Sequence, residues 1–305
     1  MSFEPPSGTQ FEIRHTNQRA VVVEVGGGLR EYEVNGLPVL DGFAVESMPD
    51  GGRGQPLLPW PNRLADGRYE FGGRTLQLPI DEVARNNASH GLTRWLNWTL
   101  VEHTDSRVEL RQVVHPRPGY PFALALTIAY ALDSHGLTVT TQAHNLGENP
   151  LPFGAGQHPY LTVGTPSVDT TLLRVPANAR LELDADRRLP TGQRLPVAGT
   201  EFDFRSPRAI GALQLDECYT DLVRDSDGRV RASLAADRKV TLWGDQHCKY
   251  LQVFSGDTLA PNRRRHSVAI EPMTCPPNAF RTGVDVVVLE PDAVFEFNWG
   301  IAPEF

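Results

Sequence analysis

Lysine is nearly absent from this sequence: Lys239 and Lys249 are the only two in 305 residues, and neither lies in a recognisable catalytic context. Enzymes that form Schiff bases, including those that use pyridoxal phosphate, need a lysine amine as the nucleophile. The patterns GxxxxGKS/T, HExxH and GxSxG are also absent, and Gly26, Gly27 and Gly28 lack the further glycine of a dinucleotide-binding loop. The sequence therefore gives no support to Schiff-base, nucleotide-dependent or zinc-protease chemistry.

Cysteine and long apolar runs are equally scarce. Cys218, Cys248 and Cys275 are odd in number, far apart and without a CxxC pair, which predicts free thiols rather than a disulfide framework or a zinc site. No apolar run approaches the roughly 18 residues of a membrane span. The first residues, MSFEPPSGTQFEIR, lack the basic start and apolar stretch of a signal peptide. We therefore expect a cytoplasmic protein.

The charge balance limits the class of partner. The net charge is -8, and the charged residues are dispersed rather than gathered into basic blocks. A surface of this kind is unsuited to nucleic acid or to an anionic membrane. We expect the partner to be a small molecule or another protein.

Alternation of apolar and polar residues predicts an all-β protein with little helix. In residues 122–132, large apolar side chains alternate with small ones, as in a strand covered on both faces, and the turn DSHG leads to a second strand, residues 137–143. The absence of repeats, low-complexity tracts and composition breaks predicts a single domain over residues 1–305. Further predicted elements are strands at residues 20–25, 29–34, 250–254, 284–289 and 294–299, hairpins at Asp66-Gly67 and Gly72-Gly73, and short helices at residues 81–86 and 207–213.

Two titratable residues stand immediately before a proline: His158 before Pro159, and Glu271 before Pro272. Proline restricts the preceding residue to extended backbone, so both side chains are held stiffly. A proton donor and acceptor must be held within hydrogen-bond reach of their targets, and a misplacement of about 1 Å costs on the order of 100-fold in rate. The simpler explanation, a proline that only ends a strand, applies to either residue taken alone.

Three other polar residues lie in or beside turns. Arg63 precedes the Asp66-Gly67 turn and can donate paired hydrogen bonds to hydroxyl groups, although a surface arginine is the simpler interpretation. His90 is followed by Trp95 and Trp98, whose flat apolar rings suit the stacking of sugar rings, although a histidine satisfied within the core is equally consistent. Asp216 is followed by Asp221, and one of the two can accept from a hydroxyl while the other caps a turn.

Five segments, in this order, resemble the aldose 1-epimerases, or mutarotases, of the galactose mutarotase-like superfamily. The segments are NRLADGRYEFGG, SHGLTRW, GQHPYLTVG, LDECYTDL and AIEPMTCPPNAFRTG, and they span residues 62–283. The EPM...PPNAF piece is specific, whereas HG or HPY alone is a weak signal. The ordered set makes coincidence improbable.

The resemblance implies a β-supersandwich of large antiparallel sheets with a carbohydrate cleft, and interconversion of the α and β anomers of a free aldose such as galactose or glucose. By this resemblance, Glu271 is the general base on the C1 hydroxyl and His158 the general acid on the ring oxygen. Substrate is bound by Arg63, His90 and Asp216, with Asn62 and Gln252 as weaker additions. No cofactor or metal is implied. A glutamate near pKa about 4.3 and a histidine near about 6.5 suit these roles.

Alternatives remain open at this point. A hexose-6-phosphate epimerase needs a cationic cluster, for which Arg263, Arg264 and Arg265 are the one candidate. A non-catalytic sugar-binding protein would not need the acid and base, and a metal site of His90, His158 and Glu271 lacks HxD or HxH spacing. The preferred aldose, the choice between monomer and homodimer, and the position of Cys275 relative to the cleft are also left undecided.

Overall fold

The computed structural model of the chain describes residues 3–304, and strands dominate it. In the first part of the chain the strands are β1 (Gln10–His15), β2 (Gln18–Val23), β3 (Leu29–Val34), β4 (Leu37–Pro38), β5 (Pro56–Leu57), β6 (Arg63–Ala65), β7 (Arg68–Phe71), β8 (Arg74–Gln77), β9 (Asn87–Ser89), β10 (Thr99–His103), β11 (Arg107–Val114), β12 (Leu124–Asp133) and β13 (Gly136–Asn145). They continue with β14 (Leu151–Phe153), β15 (Gly156–Gln157), β16 (Tyr160–Leu161), β17 (Leu172–Arg174), β18 (Ala177–Leu183), β19 (Pro190–Pro196), β20 (Arg208–Ala209), β21 (Asp216–Leu222), β22 (Val230–Ala235), β23 (Lys239–Gly244), β24 (Tyr250–Phe254), β25 (Val268–Met273), β26 (Val287–Leu289) and β27 (Val294–Glu304). Helix in the described residues is limited to two 3₁₀ turns, Val83–Arg85 and Val168–Thr170, and α1 (Ala279–Thr282).

The larger sheet has nine strands in the order β10-β11-β12-β13-β27-β23-β22-β17-β20. Its third and fourth strands are the predicted hairpin β12–β13, which closes with Asp133 opposite Gly136. The large side chains of β12 are buried on one face, and the small residues Ala125 and Ala129 are buried on the other. The expectation of a strand covered on both faces is therefore confirmed along most of its length.

The second large sheet has eight strands in the order β19-β18-β21-β24-β25-β15-β5, with β16 also paired to β25. Smaller sheets are formed by β1 to β4, by β14 and β26, by β6 and β9, and by β7 and β8. Apolar residues of both large sheets, such as Ile128 and Ile270, belong to one continuous buried cluster. The prediction of an all-β supersandwich of large antiparallel sheets is confirmed.

Two local predictions were wrong. The turn at Asp66-Gly67 connects β6 to β7 without forming a hairpin, because β6 pairs with β9 and the Asp66 amide donates to the Asn86 carbonyl. The chain instead leaves the turn into the separate hairpin β7–β8, as predicted at Gly72-Gly73. Residues 207–213 form no helix, because β20 pairs with β17 there and the positive φ of Gly211 ends the run in a turn.

Other boundaries shifted by a few residues. The predicted strand at residues 284–289 is shortened to β26, because Asp285 adopts a left-handed backbone conformation with φ of 53°. The predicted helix at residues 81–86 is the single 3₁₀ turn Val83–Arg85. Within residues 3–304, no helix has the length and hydropathy to span a bilayer. The single domain over residues 1–305 and the cytoplasmic location stay predictions.

Candidate active site

Glu271 is a buried acid on an apolar strand. All six residues of β25 are buried, and Glu271 itself is 2% exposed. Its cross-strand neighbour on β24 is Gln252. One carboxyl oxygen of Glu271, Oε2, has no hydrogen-bond partner in the protein. A buried polar atom without a partner costs free energy, which argues for a functional rather than a stabilising role.

His158 lies next to Glu271 because the strands on either side of His158 both pair with β25. Gly156 of β15 pairs with Met273, and Tyr160 of β16 pairs with Ala269, so the His158-Pro159 segment lies opposite the middle of β25. His158 Nε2 lies 3.2 Å from Glu271 Oε1. The two residues that precede prolines in the sequence are therefore in direct contact.

The imidazole of His158 is clamped on several sides. It stacks on Tyr160 with 4.9 Å between ring centroids and 13° between planes. The buried Arg53 guanidinium covers Tyr160 with its Cζ 4.2 Å from the ring centroid, and it pairs with Asp41 and Asp50. At Gly52, a Cβ would lie 2.8 Å from His158 Cδ2, so only glycine fits there. The ring orientation is fixed by this stack.

His90 lies beside His158. The two ring centroids lie 5.6 Å apart in a T-shaped arrangement. His90 Nδ1 accepts a hydrogen bond of 3.2 Å from the Asn62 amide, which leaves the proton of the neutral ring on Nε2. The His90 amide in turn donates to the Asn62 carbonyl. Both residues have positive φ, 57° for Asn62 and 61° for His90, so each occupies a tight turn.

Arg63 and Asp216 are each held by hydrogen bonds to neighbouring side chains. Arg63 Nε donates to both carboxylate oxygens of Glu82, at 2.9 and 3.1 Å. Asp216 accepts from Gln252 Nε2 at 2.6 Å and from Arg188 Nε at 3.2 Å. Gln252 thus lies behind Asp216, where it orients the carboxylate rather than facing the cavity.

These side chains surround one cavity of about 410 Å³. Six of the seven predicted site residues line it, the exception being Gln252. The other lining residues come mostly from loops, and among them the sequence indicated a role only for Trp95, as a surface for the stacking of sugar rings. These are Pro49, Gly51, Gly52, Asp81, Glu82, Arg85, Ser89, Arg94, Trp95, Tyr160, Phe254, Thr258 and Leu259. A signal was present for four of them, because Ser89, Arg94 and Trp95 belong to the SHGLTRW segment and Tyr160 belongs to the GQHPYLTVG segment.

Several candidates lie away from the cavity. Asp221 is on the surface and pairs with Arg194, so Asp216 is the aspartate at the cavity. Arg263 and Arg265 pair with carboxylates outside the cavity wall, and Arg264 is exposed. The Cys275 thiol is fully buried, and burial raises its pKa to about 12, as expected for an inert thiol.

Burial determines the protonation states of Glu271 and His158. Removal from water, with a smaller contribution from the Asp216 charge, raises the pKa of Glu271 well above its ordinary value, although Arg63 opposes the shift. Burial and then the Arg53 charge lower the pKa of His158 to about 3. Burial and Arg94 also lower the pKa of His90 well below its ordinary value. The pKa of Glu271 is therefore higher, and the pKa of His158 lower, than the ordinary values expected from the sequence.

Among residues 3–304, no group of three His, Cys, Asp or Glu side chains is arranged to hold a metal ion. His90, His158 and Glu271 share the cavity without forming such a group. The arrangement instead places an acid and an imidazole side by side, with hydrogen-bonding groups around them. It can move protons between two neighbouring oxygen atoms of a ligand.

Comparison with known proteins adds an independent observation. A family model described as Aldose 1-epimerase matches residues 9–301. The uncharacterized protein YihR of Escherichia coli K12 is 36% identical over 288 residues, which are 93% of this chain and 90% of that protein. The mouse galactose mutarotase is 30% identical over 155 residues, only 49% of this chain and 44% of that protein. The solved galactose 1-epimerase of Lactobacillus acidophilus shares the fold, with a TM-score of 0.82 at 19% identity, covering 100% of this chain and 98% of that one.

Proposed function

Because the chain belongs to the aldose 1-epimerase family, as the match over residues 9–301 shows, we propose that it interconverts the α and β anomers of a free aldohexose such as galactose or glucose. The observation that carries the proposal is the 3.2 Å contact between His158 Nε2 and Glu271 Oε1 inside the cavity. Anomer exchange requires proton transfers at the C1 hydroxyl and at the ring oxygen, which are bonded to the same carbon. Two proton-transfer groups in contact with each other can therefore act on two oxygen atoms bonded to one carbon.

Glu271 takes the proton from the C1 hydroxyl while His158 gives a proton to the ring oxygen. The C1–O5 bond breaks as the C1 carbonyl forms, so the ring opens to the free aldehyde. Rotation about C1–C2 then presents the other face of the carbonyl to the C5 hydroxyl. Glu271 returns its proton to the carbonyl oxygen, and His158 recovers its own as the ring closes to the opposite anomer.

The pair carries the right number of protons for this cycle. A neutral Glu271 beside a neutral His158 holds as many protons as an ionised Glu271 beside a charged His158. Transfer of one proton from Glu271 to His158 therefore converts the resting pair into the reactive pair without exchange with solvent. The Arg63 charge assists this step, since it favours the ionised form of Glu271.

We expect a broad, bell-shaped dependence of kcat/KM on pH. Burial disfavours any net charge on the pair, so the state with one transferable proton persists over a wide range. The acid limb lies near the lowered pKa of His158, about 3, where the pair gains a second proton. The alkaline limb lies well above the ordinary value of 4.5 for Glu271, where the pair loses its last transferable proton. Mutarotation rates from pH 3 to 10, corrected for the buffer reaction, test this, and an acid limb near pH 6.5 would contradict it.

The surrounding groups bind the hydroxyls of the sugar. His90 presents its Nε2 proton, Arg63 presents its remaining guanidinium nitrogens, and Asp216 accepts from a hydroxyl. Asn62 acts mainly by positioning His90, and Gln252 by positioning Asp216.

Asp216→Asn should raise KM and lower kcat/KM by about 10- to 100-fold, because a hydrogen bond to a charged group contributes about 1.5–3 kcal/mol. Asp221→Asn is the matched control: it makes the same change on the same strand, but at the surface beside Arg194. Steady-state kinetics of both variants test the assignment. Equal losses in the two variants would show that Asp216 does not bind substrate.

The proposal is tested by polarimetry on freshly dissolved α-D-galactose and α-D-glucose, with and without purified protein. Acceleration of either mutarotation supports it, and the ratio of the two rates ranks the sugars. Binding of a sugar without acceleration would favour a non-catalytic carbohydrate-binding protein. Acceleration confined to glucose 6-phosphate would favour the phosphorylated alternative, which has less support because each arginine of the cavity wall is already paired with Asp81 or Glu82.

A further inference from the structure

Two adjacent arginines lie in the loop that joins β18 to β19, residues 184–189. Neither Arg187 nor Arg188 lines the cavity that contains Glu271 and His158. Arg187 donates to a side chain of β9, and Arg188 donates to a side chain of β21. The loop therefore contacts two separate sheets, each of which contributes a residue to the cavity wall.

The backbone of this loop is fixed by Asp184. Its carboxylate accepts hydrogen bonds from the amides of Asp186 at 3.1 Å, Arg187 at 2.6 Å and Leu189 at 2.9 Å. The Asp184 carbonyl accepts from the Arg188 amide at 3.1 Å. Arg188 has a φ of 57°, a left-handed conformation that is unfavourable for arginine. Backbone conformations of this kind cluster at functional sites, and here the residue that adopts one contacts the cavity wall.

The Arg188 guanidinium contacts Asp216, one of the cavity residues. Nε lies 3.2 Å from Asp216 Oδ2, and Nη2 donates to the Asp216 carbonyl and lies 3.4 Å from Glu217 Oε1. Gln252 Nε2 donates to the other carboxylate oxygen of Asp216, Oδ1, at 2.6 Å. The carboxylate is thus held at both oxygens. Because a carboxylate oxygen has two lone pairs, each oxygen can still accept one hydrogen bond from a ligand hydroxyl.

Arg187 anchors the loop to the turn that carries Glu82. Its Nη2 donates to the Asn86 carbonyl at 2.7 Å and to Asn87 Oδ1 at 3.1 Å, and its carbonyl accepts from Asn87 Nδ2 at 3.1 Å. Asn87 Nδ2 also donates to Glu82 Oε2 at 2.9 Å, and Glu82 accepts from Arg63 Nε. A chain of hydrogen bonds therefore connects the loop to Arg63, the arginine proposed to bind sugar hydroxyls.

A second arginine–aspartate pair joins the same hairpin to β21. Arg194 of β19 pairs with Asp221, five residues after Asp216 on β21. These two side chains are 55% and 47% exposed, whereas those of Arg188 and Asp216 are 20% and 31% exposed. The hairpin thus makes the same kind of contact to β21 twice, and only the more buried contact reaches a residue of the cavity wall.

We propose that Arg188 is a positioning residue of the sugar site, which holds the Asp216 carboxylate in the orientation that accepts a sugar hydroxyl. Arg188 is itself held by the loop, through Asp184 and the anchor at Arg187. A preorganised acceptor loses little conformational entropy when sugar binds, whereas a carboxylate released from Arg188 must be ordered in each complex. The inference rests on the proposed function for the role of Asp216, and it extends the sugar site to a residue outside the cavity wall.

Kinetics of wild type, Arg188→Ala, Arg188→Gly and Arg194→Ala test the proposal with the sugar that wild type prefers. Both Arg188 variants should raise KM about 10-fold and change kcat by less than about 2-fold, because the contact serves binding and not the reacting oxygens. Glycine suits the left-handed backbone and alanine does not, so equal effects in the two variants assign the loss to the guanidinium. Arg194→Ala should keep wild-type kinetics. A wild-type KM in Arg188→Gly, or an equal rise in KM in Arg194→Ala, would overturn the proposal.

A double-mutant cycle shows whether Arg188 acts through Asp216. Once Asp216→Ala has removed the acceptor, the further change Arg188→Ala should raise KM by less than about 2-fold. Independent effects multiply, so a further rise of about 10-fold in the Asp216→Ala background would refute a positioning role. The unfolding midpoint of each variant establishes that its fold is retained, and Arg188→Gly replaces Arg188→Ala in the cycle if the alanine variant is unfolded.

Binding measurements separate this inference from the proposed function. Dissociation constants for galactose and glucose, from ligand-observed NMR titrations, require no turnover. Weaker binding in both Arg188 variants, without mutarotation by wild type, would support the inference and refute the proposed activity. Mutarotation by wild type, with unchanged KM and dissociation constants in the Arg188 variants, would support the activity and refute the inference.

Discussion

Glu271→Gln should lower kcat/KM for mutarotation by about 10²- to 10⁴-fold, the usual contribution of a positioned general base. Glutamine has the size of glutamate but cannot take the C1 hydroxyl proton. It also cannot supply the proton that the resting pair transfers to His158. The measurement is the polarimetric rate with the sugar that wild type prefers, and full activity in this variant would contradict the mechanism.

The same substitution should make the protein more stable at neutral pH. Native Glu271 has a raised pKa, so above about pH 4.5 the native state retains a proton that the unfolded chain has released. Stability contributed by this group is therefore complete below pH 4.5 and declines as pH rises toward the native pKa. Glu271→Gln removes that decline, so its thermal unfolding midpoint should exceed that of wild type at pH 7, with a smaller difference near pH 4.5.

Glu217→Gln is the matched control for Glu271→Gln. Glu217 is also a buried glutamate of the eight-stranded sheet, but it lies outside the cavity wall and pairs with Arg180 at 2.7 Å. Burial raises the pKa of Glu217 as well, but Arg180 and Arg188 oppose that shift, and removing one partner of such a buried ion pair is destabilising. We expect Glu217→Gln to lower the unfolding midpoint and to keep most of the activity. Opposite effects on activity and stability in the two variants would separate a catalytic glutamate from a structural one.

His158→Ala should also lower kcat/KM by about 10²- to 10⁴-fold, because the ring oxygen then lacks a positioned proton donor. Added imidazole should restore part of the rate, since loss of the His158 ring uncovers the face of Tyr160 on which that ring stacks. Polarimetry over a range of imidazole concentrations measures the rescue. A saturable increase is expected, beyond the buffer catalysis measured without protein.

His266→Ala is the control for the rescue experiment. His266 is exposed and outside the cavity wall, so this variant should keep the wild-type rate and show no saturable response to imidazole. Circular dichroism and the unfolding midpoint of His158→Ala establish that its fold is retained. A folded His158→Ala protein with the wild-type rate would remove His158 from the mechanism.

Period-two patterns made several strands of both large sheets predictable. Residues 29–34 and 250–254 form β3 and β24 with the predicted bounds, because alternation and the flanking turns are local features. The pairing of β6 with β9 was not predictable in this way, because it depends on the Asp66 amide reaching Asn86, twenty residues later. Local sequence thus predicted strand positions and hairpin partners, whereas the pairing of strands that are distant in sequence was not predictable from it.

The candidate site was also only partly predictable from local sequence. Prolines next to Glu271 and His158 indicated two stiff titratable groups. They come into contact only because β15 and β16, on either side of His158, both pair with β25. The choice between Asp216 and Asp221 could not be made from local sequence. The five-residue spacing puts them on opposite faces of β21, and nothing in the segment identifies the face that meets the cavity. Arg53, which fixes the ring of Tyr160, lacked any sequence signal beyond its glycine-rich surroundings.

The order of strands at the site also has a consequence for how the chain folds. Gly156 on β15 pairs with Leu57 of β5 on one side and with Met273 of β25 on the other, so three segments about a hundred residues apart in sequence meet at one residue. Contacts of such long range carry a large loop-closure cost and form slowly. During refolding, hairpins such as β12–β13 can form early, but the cavity exists only once both distant pairings are made. Recovery of sugar binding should therefore be among the last events of folding, and a fragment that ends before β25 would contain His158 without its acidic partner.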